Sequence, residues 1–182
     1  MEFRRLGNSG LSVSEIGLGC NNFGGRVDQS GTKRVVDAAL DHGITLFDTA
    51  DVYGGSDSEV FLGKALGSKR SDVIIATKFG MAMGEGALSR GGSRRYIMNA
   101  VDASLGRLGT DYIDLYQIHF PDPATPIDET LSALDDLVRA GKVRYVGSSN
   151  FSSWQIADAD WTARSEGYAR FVSAQNHMNL FE

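Results

Sequence analysis

IDLYQIHFPDPATPIDETLSALDDLVRAGKVRYVGSSN, residues 113–150, decides the fold. Ile113 to Ile118 is an apolar run of strand length that stops at His119. Pro126 to Ala140 carries Leu131, Leu134 and Val138 on one stripe at helical spacing, and Gly141 follows as a stop signal. Val143 to Val146 is a second short apolar run, ending at Gly147-Ser148-Ser149-Asn150. Strand, helix and strand in that order predict a βαβ unit: two parallel strands joined by a right-handed crossover.

The same unit recurs in both directions. Upstream, Asp72 to Thr77 reads as a strand ending at Lys78. A Gly- and Met-rich loop follows it, then a helix capped by Ser93 with Ile97, Val101, Leu105 and Leu108 inward and Gly109 behind it. Before that, Ile44 to Phe47 is a strand ending at Asp48. Ser56-Asp57-Ser58-Glu59 then has the form of a capping box opening a helix to Leu66. Glu15 to Gly19 is the first short strand, followed by a helix from Thr32 to His42. Downstream, a helix from Ser153 to Glu166 leads to a last strand, Phe171 to Ala174, ending at Gln175. Ahead of all of these, Asn8-Ser9-Gly10 supplies turn chemistry for an N-terminal β-hairpin.

Six consecutive units of about 30 residues favour an α/β chain of the (β/α)8 TIM-barrel type, with a doubly wound sheet as the alternative. With eight units in such a barrel and six read here, an incomplete one is expected. The expectation is a single barrel domain over 1–182, truncated at its C-terminal end, with unpaired edges at its first and sixth strands that invite association.

Composition agrees. A chain of 182 residues buries about 70% of its unfolded surface, enough for one core. Gly is 22 of 182 residues, well above the usual level of about 7%, and Gly43, Gly67, Gly109, Gly141 and Gly167 each fall where a helix of the repeat closes. The net charge of −5 argues against a nucleic-acid partner. One cysteine, Cys20, read as semi-buried, excludes a disulfide framework and a Cys-rich zinc site. No His/Asp/Glu spacing suggests a metal. No apolar run reaches the roughly 18 residues of a membrane span, and no signal-peptide pattern opens the sequence, so cytoplasm is the expected location.

The apolar strands end in polar residues: Asp48, Lys78, His119, Ser149-Asn150 and Gln175. In a parallel barrel all strand C-termini open on one face, where active sites sit. Tyr53, five residues after Asp48 in the loop DVYGGS, reaches the same mouth. A tyrosine hydroxyl is a weak acid; a neighbouring ammonium favours its ionised form, and a carboxylate can hold that ammonium in place. A neutral histidine can donate a hydrogen bond to a carbonyl oxygen. Ser, Asn and Gln side chains suit an amide such as the carboxamide of nicotinamide. The chemistry implied is carbonyl reduction by hydride transfer with proton delivery by Tyr53. Gly17-Leu18-Gly19-Cys20-Asn21-Asn22 misses the dinucleotide fingerprint at its third glycine, so a Rossmann reading is weak.

FDTADVYGGSDSEVFLGKAL, IIATK, IDLYQIH, VGSSN and SAQN, in that order, resemble the aldo-keto reductases, in the branch of bacterial oxidoreductases and potassium-channel β-subunits. The resemblance implies Tyr53 as general acid, Lys78 and Asp48 as residues that tune it, and His119 as a residue that orients the carbonyl. It implies Ser149, Asn150 and Gln175 on the carboxamide end of NADP (NADPH), with NAD the alternative. The region that grips the adenine and 2′-phosphate in the family falls in the missing units. Two other readings stand beside the reductase: a non-catalytic cofactor-sensing or partner-binding subunit, and an inactive fragment of a reductase. The substrate class is a small carbonyl compound.

Overall fold

The computed structural model describes residues 1–181 of the chain (for residue 87, the backbone only). Strands β1 (Phe3–Arg5) and β2 (Ser12–Ser14) form the antiparallel hairpin. Then come β3 (Gly17–Gly19), α1 (Gln29–Asp41), β4 (Leu46–Asp48), α2 (Asp57–Leu66), β5 (Ile74–Phe79), α3 (Arg94–Leu108) and β6 (Ile113–Ile118). The last elements are α4 (Ile127–Arg139), β7 (Val143–Ser149), α5 (Ser153–Glu166) and β8 (Phe171–Gln175). Strands β3 to β8 lie in one parallel sheet in chain order. It is a curled half-barrel, as the six repeated units require. Among the described residues β3 and β8 have one neighbour each, which leaves the two open edges anticipated above.

Strand alternation sorts the residues of this sheet. Phe47, Ile75, Tyr116 and Val146 are buried against the helices, with Leu62, Leu66, Ile97, Val101, Leu134 and Leu137. Each fully buried side chain of this size contributes about 1.5–3 kcal/mol by leaving water. On the concave face Leu46, Ala76 and Leu115 border a cavity of about 260 Å³ that Leu6 of the β1–β2 connection also lines. One step further along the same strands, that face turns polar: Asp48, Lys78 and Gln117.

Local side chains cap three of the five helices, while α2 and α4 begin without such a cap. Asp28 accepts from the Gly31 N–H at 2.7 Å ahead of α1, and Ser93 accepts from the Tyr96 N–H at 3.4 Å ahead of α3. Gln155 reaches back to the Ser152 N–H at 2.9 Å ahead of α5. The capping box expected at Ser56–Glu59 does not form. Ser56 is left-handed, with φ of 85°, and its side chain caps nothing. Glu59 is fully buried, where it accepts from Thr77 Oγ1 at 2.5 Å and Arg107 Nε at 2.6 Å. Two further expectations need correction. Strand β7 runs on to Ser149, because Gly147 and Ser148 keep pairing with their neighbours. Cys20 is wholly buried rather than half-exposed.

Candidate active site

The C-terminal ends of β4, β5 and β6 and the loop after β4 bring Asp48, Lys78, His119 and Tyr53 together. Parallel pairing sets the first contact: Asp48 lies opposite Ala76, with Lys78 one step further along the same face. Lys78, 1% exposed, donates from Nζ to both Asp48 carboxylate oxygens at 2.8 Å and to the Thr49 carbonyl at 2.9 Å. Its Nζ also lies 3.5 Å from the Tyr53 hydroxyl oxygen and 5.1 Å from the centre of that ring. An ammonium this far from water survives only because carboxylate and carbonyl oxygens replace its hydration.

Tyr53 is delivered by an unusual loop. Gly54 and Gly55 follow it with φ of 59° and 66°, and Ser56 continues at 85°. Three left-handed residues in a row turn the chain sharply into α2, and glycine supplies two of them without a Cβ penalty. At Gly54 there is also no room: a Cβ there would stand 2.4 Å from the Phe23 carbonyl oxygen.

His119 meets Tyr53 edge to face, with ring centres 5.8 Å apart, and stacks on Phe120 at 5.3 Å. Its burial, and next the positive charge of Lys78, push its pKa down to about 4, so the ring is neutral at pH 7. Its Nδ1 is buried without a hydrogen-bond partner. A bare acceptor costs less there than a stranded N–H, which favours the tautomer with the proton on Nε2.

Ser149, Asn150 and Gln175 gather at the adjoining ends of β7 and β8. Ser149 Oγ donates to the Gln175 carbonyl at 2.8 Å. Asn150 sits in the left-handed region at φ of 60° and donates from Nδ2 to the His119 carbonyl at 2.9 Å. The Gln175 side chain donates to Asp48 Oδ2 at 3.2 Å across the half-barrel. Gln117, not singled out from the sequence, joins the same network through Nε2 to Gln175 Oε1 at 3.0 Å. The signal for it was available: it lies two residues before His119 on a strand, hence on the same face.

A parallel, curled α/β sheet with a polar cluster at its strand ends defines a barrel protein of the strand-end active-site class. The chain belongs to the aldo/keto reductase family, whose sequence model matches residues 15–182. It is 44% identical over its full length to aldo-keto reductase YhdN of Bacillus subtilis, covering 55% of that protein. It is 40% identical to versiconal hemiacetal acetate reductase of Aspergillus parasiticus, over 99% of this chain and 60% of that one. A probable voltage-gated potassium channel subunit beta of Arabidopsis thaliana is 39% identical over the whole of this chain, which covers 56% of that protein. The chain thus spans just over half the length of these relatives.

Proposed function

We propose that this chain carries the catalytic part of an oxidoreductase that reduces aldehydes or ketones to alcohols with NADPH, Tyr53 being the proton donor. One observation carries the reading: a buried ammonium clamped by a carboxylate and poised 3.5 Å from a tyrosine oxygen. An ammonium has three protons. Asp48 takes one of them, shared between its two oxygens, and Thr49 takes a second; the third points to the Tyr53 oxygen, whose own proton is then free to go to a carbonyl oxygen. As that proton leaves, Lys78 stabilises the phenolate that forms. Neutral His119 donates its N–H to the same carbonyl oxygen and holds it in line with the hydroxyl.

The residues present fit one end of a nicotinamide cofactor. A primary amide offers two donors and one acceptor; beyond the hydrogen bonds described above, the Asn150 amide oxygen and the second Gln175 N–H supply an acceptor and a donor at these strand ends. When bound, the cofactor supplies the hydride. NADP is proposed over NAD on family resemblance. The reading takes residues 1–182 as one barrel domain acting in the cytoplasm on a small carbonyl compound. Its net charge of −5 favours no nucleic-acid partner. No helix among the described residues is long and apolar enough to cross a membrane.

The test is NADPH oxidation against a panel of aldehydes and ketones, with wild type and Tyr53→Phe side by side. Turnover by the wild type, reduced by orders of magnitude in Tyr53→Phe, is expected; equal rates would remove Tyr53 from its role. The likeness to a channel β-subunit favours a second reading, a cofactor-sensing partner subunit. NADPH binding without turnover of any carbonyl, in both proteins, is the result that selects it.

A further inference from the structure

Behind the site lies a second set of buried titratable groups that the proposed reaction does not use. Asp51, two positions before Tyr53, is 1% exposed. Its N–H donates to the Lys78 carbonyl at 3.1 Å. Its carboxyl oxygen Oδ1 is buried with no partner, and Oδ2 lies 3.5 Å from the Tyr96 hydroxyl oxygen. That hydroxyl is also 3.2 Å from the Met81 carbonyl, in the loop after β5. The charged and titratable groups facing Asp51 are Glu59 from α2, Tyr96 and Arg107 from α3, and Tyr116 from β6. The one cation among them is already engaged, since Arg107 donates from Nε to Glu59.

These contacts pose a proton-counting problem. The Tyr96 hydroxyl has one hydrogen and two oxygens near enough to take it. If Asp51 were ionised, Tyr96 would turn its proton to the carboxylate and the Met81 carbonyl would lose its donor. If Asp51 is protonated, its own O–H donates to Tyr96, and Tyr96 donates onward to Met81. Only the second arrangement gives the Met81 carbonyl its donor while still joining Asp51 to Tyr96, and it spares a buried negative charge beside Glu59 that only the Tyr96 hydroxyl and the Val52 N–H would face.

We infer that Asp51 is a positioning residue for Tyr53, acting as a neutral carboxylic acid that starts a hydrogen-bond relay from Asp51 through Tyr96 to Met81. The relay fastens the loop carrying Tyr53 to the loop after β5, so loss of the Asp51 proton loosens the loop on which Tyr53 is placed. Burial, then the charge of Glu59, raise the Asp51 pKa to about 7, in the same sense as the geometry. The catalytic meaning of this placement rests on the proton-donor reading of Tyr53; the placement itself does not.

The experiment therefore reads the placement directly. The whole chain is labelled with ¹³C at the Asp carboxyl and the Tyr ring carbon bearing the hydroxyl, and titrated by NMR. Signals are assigned with Asp51→Asn, Tyr53→Phe and Tyr96→Phe. The expected result is an Asp51 carboxyl signal that titrates near pH 7, with the Tyr53 and Tyr96 signals moving at the same midpoint. Asp51→Asn keeps a donor toward Tyr96, so its Tyr53 signal should hold the low-pH position of the wild type throughout. Tyr96→Phe breaks the relay and should shift the Tyr53 signal at every pH. An Asp51 signal titrating in the ordinary carboxylate range overturns the inference. So does a Tyr53 signal that ignores both the Asp51 titration and the Tyr96→Phe change. None of this needs turnover, so equal activity of wild type and Tyr53→Phe would defeat the reductase reading alone. If the chain turns over, the wild-type rate should fall as pH rises through 7, and that step should be absent in Asp51→Asn.

Discussion

Replacing Lys78 by methionine tests the clamp at the centre of the site. Methionine fills much the same volume and removes the charge. The side chain is 2% exposed and its partner Asp48 is 21% exposed, so solvent screens the pair weakly. At the observed 2.8 Å, the gross attraction is about 6 kcal/mol at an effective dielectric of 20. Most of that is offset by the cost of taking both ions from water. The single variant does not recover the offset: it leaves the Asp48 carboxylate in the protein with the Gln175 amide at 3.2 Å as its remaining side-chain donor. Breaking a buried pair on one side costs about 3–5 kcal/mol, roughly 10 °C in Tm for a chain of this length. Asp48→Asn should cost a similar amount by stranding the ammonium. The double variant has no stranded ion, so it should lose about 2 kcal/mol less than the sum of the two singles. Urea unfolding followed by circular dichroism, on all four proteins, measures this. Losses that add to within about 0.5 kcal/mol would refute the idea that each ion is held by the other.

Gly63 and Gly106 both sit inside helices, where alanine normally adds about 1 kcal/mol. A Cβ at Gly63 would stand 2.3 Å from the Leu108 carbonyl oxygen, while one at Gly106 meets nothing within 4 Å. Gly63→Ala should therefore lose about 1–3 kcal/mol through overpacking, and Gly106→Ala should gain. The same sign in both would contradict the close approach of α2 to α3. For His119, proton NMR of the ring should give a midpoint near 4. Its folded pKa lies below its unfolded value near 6.5, so its neutral, buried form opposes unfolding above that pH. That contribution is lost as pH falls through 6.5 toward 4. A midpoint at 6 or above would show the ring open to water.

The period of the fold was legible because each unit writes its own ends. Ser93, Gly109 and Gly167 are local signals, and the helices they bound lie where the spacing placed them. Tertiary pairing was harder to see. Ser56 and Glu59 had the form of a cap, but Glu59 is drawn inward by Thr77 and Arg107, partners 18 and 48 positions away. Strand β7 outran its apolar run because Gly147 and Ser148 gain hydrogen-bonded neighbours that no local pattern announces. The candidate site was legible through one rule, that parallel strands share a mouth, which gathered Asp48, Lys78, His119, Asn150 and Gln175. The Asp51–Tyr96–Met81 contact escaped it, since those residues approach only when the loops after β4 and β5 pack against α3.

The chain-order pairing of the sheet also sets the sequence in which the site is wired during synthesis. Each strand from β4 onward can dock on the one made just before it, with a single helical crossover to close each time. Asp48 meets Lys78 when β5 forms, and His119 arrives with β6. Gln175, 127 residues after Asp48, is the latest member, and its amide reaches back to the first. A ribosome-bound chain stalled before β8 should therefore hold an assembled Asp48–Lys78 clamp whose Asp48 still lacks the Gln175 amide.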